Sequence, residues 1–67
     1  MRITFNNIQE EITGDSITIA ELLDEKRYTF RMRIVKINGI LIPRDNYDKT
    51  LINDGDEVQL IYLMSGG

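Results

Sequence analysis

Gly66-Gly67, at the end of the chain, is the stretch whose residue types and position suit covalent chemistry best. Neither residue has a Cβ, so both can adopt extended or left-handed backbone and pass through a narrow channel. A glycine carboxylate presented in this way is a group for another protein's active site to work on. A frayed end or an expression scar would account for two glycines equally well. The pair alone fixes no chemistry, and the elements that position it have to decide. Just upstream, Asp56-Glu57-Val58-Gln59-Leu60-Ile61-Tyr62-Leu63 has the apolar content of a strand, entered through the turn signal Asn53-Asp54-Gly55. The pattern predicts a strand that runs directly into the glycines, with a domain over 1–63 and a flexible tail over 64–67.

Composition excludes much else. The 67 residues make one small domain, with too little interior for both a core and a deep cleft. There is no Cys and no His, hence no thiol nucleophile, no imidazole base, no disulfide and none of the usual zinc ligands. The expectation is a protein that is not itself an enzyme and has no catalytic, metal or cofactor residues of its own. Eight Lys and Arg stand against 11 Asp and Glu, a net charge of −3, which is the wrong sign for a phosphate-backbone binder. No apolar run approaches the ~20 residues needed to span a bilayer. Met1-Arg2 leads straight into strand pattern, without the apolar core of a signal peptide. These features predict a soluble cytoplasmic domain, monomeric on its own, that binds neither nucleic acid nor membrane.

Taken in order, Arg2-Ile3-Thr4-Phe5-Asn6 alternates with period two and places Ile3 and Phe5 on one face. Asn6-Asn7 suits a turn, since Asn tolerates left-handed dihedrals. Ile8 to Thr13 pairs back as a weaker edge strand, its Glu10 and Glu11 discouraging further pairing. Thr18-Ile19-Ala20-Glu21 has the spacing of a capping box, and Ile17 stands where it would staple onto Leu22. The helix is expected from Ile19 to Arg27, with Ile19, Leu22 and Leu23 facing the core and Lys26 and Arg27 in the last turn. Tyr28 to Met32 connects it to a strand over Arg33–Asn38. Asn38-Gly39 is a strong hairpin signal into Ile40-Leu41-Ile42, which Pro43 ends. Asp45-Asn46-Tyr47-Asp48 reads as a short 3₁₀ segment with Tyr47 anchored on the core. Thr50-Leu51-Ile52 reads as an extended piece with Leu51 buried.

One helix and a mostly antiparallel sheet, each with one apolar face, bury those faces against each other in two layers. The hairpin and helix between the first and last strands provide a crossover, so those two strands can lie parallel in the sheet centre. The expected fold is α+β, a ubiquitin-like β-grasp.

With this order of elements, the chain resembles the ThiS family of sulfur carriers in thiazole formation, within the wider ThiS and MoaD-like superfamily. The resemblance runs over essentially the whole chain. It includes Phe5-Asn6, Thr18-Ile19-Ala20-Glu21-Leu22-Leu23, Val35-Lys36-Ile37-Asn38-Gly39, Ile42-Pro43-Arg44, Asp54-Gly55-Asp56-Glu57-Val58 and the final Gly66-Gly67. Each match is weak alone, and their order and spacing make the set specific. Tyr47 stands where an aromatic, often Trp, is common, and the basic stretch from Lys26 to Arg33 is not a family mark. The resemblance implies a carrier. An E1-like adenylating enzyme (ThiF- or MoeB-like) would use ATP to activate the Gly67 carboxylate, and the carrier would bind no cofactor itself. Sulfur would replace the adenylate to give a thiocarboxylate, and a ThiG-like thiazole synthase would consume it. Gly66 and Ser65 would thread the tail into the activating site.

If Val58, Leu60 and Tyr62 face the helix, then Gln59, Ile61 and Leu63 face outward, and with Met64 they form an apolar patch beside the tail. Its functional reading is partner docking; scattered apolar residues on a covered or ordinary surface are the plainer reading. The cations Lys26, Arg27, Arg31, Arg33 and Lys36 read as a solvated face, and Asp54 and Asp56 as turn residues. Two other functions share the fold, the tail and the activation. One is a sulfur carrier for another acceptor, in a molybdopterin or sulfur amino acid pathway, and the other is a ubiquitin-like modifier of lysines.

Overall fold

The computed structural model describes residues 1–27 and 33–62. The chain opens with β1 (Arg2–Phe5) and β2 (Ile8–Glu11), joined by Asn6 and Asn7 at φ 49° and 69°. Positive φ at both central residues is the hairpin geometry that matches strand twist, and Asn is among the few side chains that tolerate it. A short β3 (Ser16–Thr18) leads into α1 (Ile19–Glu25). Then follow β4 (Arg33–Ile37), β5 (Ile40–Ile42), a 3₁₀ turn over Arg44–Asn46, β6 (Leu51–Asn53) and β7 (Glu57–Tyr62). The second hairpin turns through Asn38 and Gly39, also at positive φ, 52° and 82°.

The main sheet has the order β2-β1-β7-β4-β5. As expected, β1 and β7 are parallel at its centre, Thr4 beside Glu57 and Phe5 beside Val58, and every other pairing is antiparallel. The α+β arrangement is thus the β-grasp. A two-stranded sheet, β3 with β6, was not anticipated. Three-residue strands carry too little period for the sequence to reveal them. Their pairing also corrects one burial: Ile52, opposite Ile17, is fully buried, whereas Leu51, opposite Thr18, is 52% exposed. The side-chain period in a strand is two, so reading it one residue off exchanges the faces.

Helix α1 begins as its capping box predicts. Thr18 Oγ1 accepts the Glu21 amide at 3.1 Å, and Glu21 Oε1 accepts the Thr18 amide at 3.0 Å. The two earlier amides of the first turn are also satisfied, Ile19 by the Thr50 carbonyl and Ala20 by the Tyr47 carbonyl. Few of the orphan donors of a helix start remain. The far end differs from expectation: the helix stops at Glu25, so Lys26 and Arg27 lie beyond its last turn. Lys26 is the C-cap, and Arg27 takes the left-handed conformation at φ 59°. The Lys26 ammonium instead reaches Glu10 on β2 and lies 4.6 Å from the Phe5 ring centroid. That cross-element contact is what the sequence pattern could not contain.

The core lies between α1 and the inner face of the sheet. Ile3 and Phe5 of β1, Val35 and Ile37 of β4, and Val58 and Leu60 of β7 meet Ile19, Leu22 and Leu23 of the helix. Ile52 and Tyr47 close its side, so Tyr47 is the anchor its position suggests. Among the described residues, no helix is long and apolar enough to cross a membrane.

Candidate functional site

The candidate site is built on β7, whose two ends are held differently. At its start, the Asp54 carboxylate accepts the Arg2 amide at 2.7 Å, and the Gly55 amide donates to the Arg2 carbonyl. Asp56 Oδ2 accepts the Asn53 amide at 2.8 Å, and its Oδ1 accepts the Asn38 side-chain amide at 3.1 Å. Asn38 Oδ1 in turn accepts the Glu57 amide at 2.9 Å. Asp54 and Asp56 are therefore turn residues, as their spacing suggests, and their carboxylates are occupied by amides.

Along the strand, β1 pairs only with the first part of β7. The chain leaves the sheet at Asn6, and the Asn6 carboxamide oxygen accepts the Leu60 amide at 2.8 Å in place of a further strand residue. On the other side β4 accompanies β7 to its end, with Ile34 opposite Ile61 and Arg33 opposite Tyr62.

The alternation of β7 decides the faces. Val58 and Leu60 are buried toward the helix, and Ile61 is 41% exposed on the outer face. Register places Ile34 directly across from Ile61, and Lys36 between Gln59 on one side and Leu41 on the other. Gln59, Ile34 and Lys36 are half-buried, and Leu41 is exposed. Two predicted docking residues, Gln59 and Ile61, thus share a surface with Ile34 and Leu41, which sequence reasoning missed. The available signal was the antiparallel pairing of β4 with β7, because its correct register would have placed Ile34 beside Ile61.

Tyr62 departs from expectation. Its parity is that of the core face, yet it is 39% exposed, because β1 has already turned away and the buried ladder on β7 ends at Leu60. The remaining predicted site residues, Leu63, Met64, Ser65, Gly66 and Gly67, lie outside the described residues, as does Arg31 of the basic set. The other cations do not form one surface. Lys26 is paired with Glu10, the Arg33 guanidinium carbon is 6.0 Å from the ring centroid of buried Tyr47, and Lys36 lies on the opposite sheet face.

The geometry is matched by known proteins. The model of the ThiS family fits residues 3–67. The crystal structure of a thiamine biosynthesis protein (ThiS) from Geobacter metallireducens superposes with a TM-score of 0.89 at 32% identity, covering all of both chains. A solution structure of a thiamine biosynthesis protein from the same organism gives 0.80 at 32% identity, covering all of this chain and 88% of that one. Among curated sequences, an uncharacterized protein (ycf40) of Trieres chinensis is 24% identical over 63 residues, 94% of this chain and 86% of its own length. A thiazole synthase of Paramagnetospirillum magneticum is 27% identical over 67 residues, and this chain spans 20% of its length. With a family model that covers nearly every residue and a full-length structural match, the chain belongs to the ThiS family.

Proposed function

We propose that this protein is a sulfur carrier for thiazole formation in thiamine biosynthesis, with Gly67 as the group that carries the sulfur. The observation that supports this reading most directly is a family match that extends through the last glycine. A free carboxylate is a poor electrophile. Transfer of AMP from ATP, with loss of pyrophosphate, converts it to an acyl-adenylate with a good leaving group. A sulfur nucleophile then attacks the acyl carbon, AMP departs, and the product is a thiocarboxylate. That product is itself a sulfur nucleophile, so the carrier needs no cysteine of its own.

The partners in this proposal are an E1-like adenylating enzyme, which supplies ATP chemistry, and a thiazole synthase, which consumes the sulfur. The similarity to one part of a thiazole synthase supports the second partner. Residues 64–67 act as the tail, with Ser65 and Gly66 small enough to thread an activating site. Gln59 and Ile61, with Leu63 and Met64 beyond them, dock it, and the carrier is a cytoplasmic monomer between encounters. The intact mass of the protein from its native cells tests the reading. Exchange of one carboxyl oxygen for sulfur is expected under sulfur-replete growth. Branched adducts on other proteins would replace the carrier with a protein modifier, and an unmodified terminus would count against both.

A further inference from the structure

We propose that Asn38-Gly39 is a latent deamidation site, kept dormant by the clamp that ties the Asn38 carboxamide to the start of β7. Asn38 is the one asparagine in the chain followed by glycine; the others precede Asn, Ile, Tyr or Asp. The pair sits exposed at the tip of the β4–β5 hairpin, and an ideal Cβ built on Gly39 meets nothing within 4 Å. The hairpin tip is therefore open on the side where a glycine Cβ would lie, and asparagine is one of the thermolabile residues.

The reaction needs no partner except water. The backbone nitrogen of Gly39 attacks the Asn38 side-chain carbonyl carbon and forms a five-membered imide, and ammonia leaves with the former amide nitrogen. Water then opens the imide at either carbonyl, leaving aspartate or isoaspartate at position 38. No oxidant or reductant takes part, and the net change is amide plus water to acid plus ammonia.

What restrains this in the folded protein is the use already made of the carboxamide. Its nitrogen donates to Asp56 Oδ1 at 3.1 Å, its oxygen accepts the Glu57 amide at 2.9 Å, and the Asn38 amide donates to the Glu57 carbonyl at 2.7 Å. Cyclisation requires the side chain to swing onto the Gly39 nitrogen, so both carboxamide bonds must open first. The rate is then set by local opening of the hairpin tip rather than by solvent access. Once the reaction occurs the clamp cannot re-form as it was. An aspartate at 38 has no amide to donate and brings a second carboxylate against Asp56, which loosens the clamp.

The test follows deamidation by peptide mapping of wild-type protein in mildly alkaline buffer, native and in urea, together with folded Asp56→Ala. Modification should appear at Asn38, with both aspartate and isoaspartate. The native rate should be at least about ten-fold below the urea rate, with Asp56→Ala between them. Equal native and urea rates, first modification at another asparagine, or a folded Asp56→Ala indistinguishable from wild type would each overturn the proposal. Should Asp56→Ala fail to fold, the wild-type comparison decides alone.

Discussion

β7 is six residues long, and its two ends are built on opposite rules. The start is polar and pinned: Asp54, Asp56 and Asn38 accept the backbone amides of Arg2 in β1, Asn53 in β6 and Glu57 in β7, and Asp56 also accepts the Asn38 side-chain amide. The finish is apolar and presented: Ile61 and Tyr62 are partly exposed, and strand pairing continues on the β4 side alone. On the function proposed above, in which the carrier offers its terminus to two enzymes, this division is an advantage. Fixing the root of the strand holds β7 in register, and leaving its end uncovered would give a partner apolar surface to bury. Stability and function are therefore separable along one strand, and substitutions test that separation.

The sharpest break is at the last residue. Gly67→Val should lower adenylation and sulfur transfer by about 100-fold or more, because a branched side chain displaces the reacting carbonyl by roughly an ångström. Its melting temperature should equal that of wild type, since a terminal residue contributes little packing. A lower melting temperature would show that the tail belongs to the fold and would erase the contrast between the two ends. Leu60→Ala acts at the boundary and has the opposite signature. Leu60 is buried in the core, so truncation should cost about 2–5 kcal/mol in denaturant unfolding. Activation of the fraction that remains folded should be unchanged.

How much of this was legible in the sequence depends on the range of the interaction. The capping box at Thr18 and Glu21, the Asn38-Gly39 hairpin and the alternation of β1 were legible because each signal spans a few neighbouring residues. The burial of Ile52 rather than Leu51 was not, because it depends on pairing with Ile17 across 35 positions of chain. The helix end was misplaced for a similar reason: Lys26 leaves the helical pattern to reach Glu10 and Phe5. The docking patch was half visible. Gln59 and Ile61 follow from the period of β7, but Ile34 and Leu41 reach that surface only through the register of β4 against both neighbours.

The outer face provides the next test. Ile61→Asp places a charge beside Ile34, in a patch that the docking proposal buries in a partner. Affinity for the adenylating enzyme, measured by titration calorimetry, should fall by about ten-fold or more, as expected for a charge buried without a partner. Unfolding should change by less than about 1 kcal/mol, since Ile61 is not part of the core. Equal affinity in the mutant and wild type would remove this face from the docking surface, and with it the functional half of the contrast. A large loss of stability would show that the face is already covered within the monomer.

The smallest effect lies in the helix that backs the strand. The Glu21 carboxylate is held below the usual range by its hydrogen bond from the Thr18 backbone amide and then by the Thr18 hydroxyl. A carboxyl whose folded-state pKa is depressed contributes stability that is complete above the unfolded-state pKa. That contribution disappears as pH falls through the folded-state value. Wild-type protein should therefore lose some stability on acidification through the carboxylate range. Glu21→Gln keeps the capping-box geometry but cannot titrate, so its stability should fall less steeply over the same interval. The effect is modest because Glu21 is fully solvated. Identical acid limbs for the two proteins would show that the capping-box carboxylate contributes nothing to the acid sensitivity of the fold.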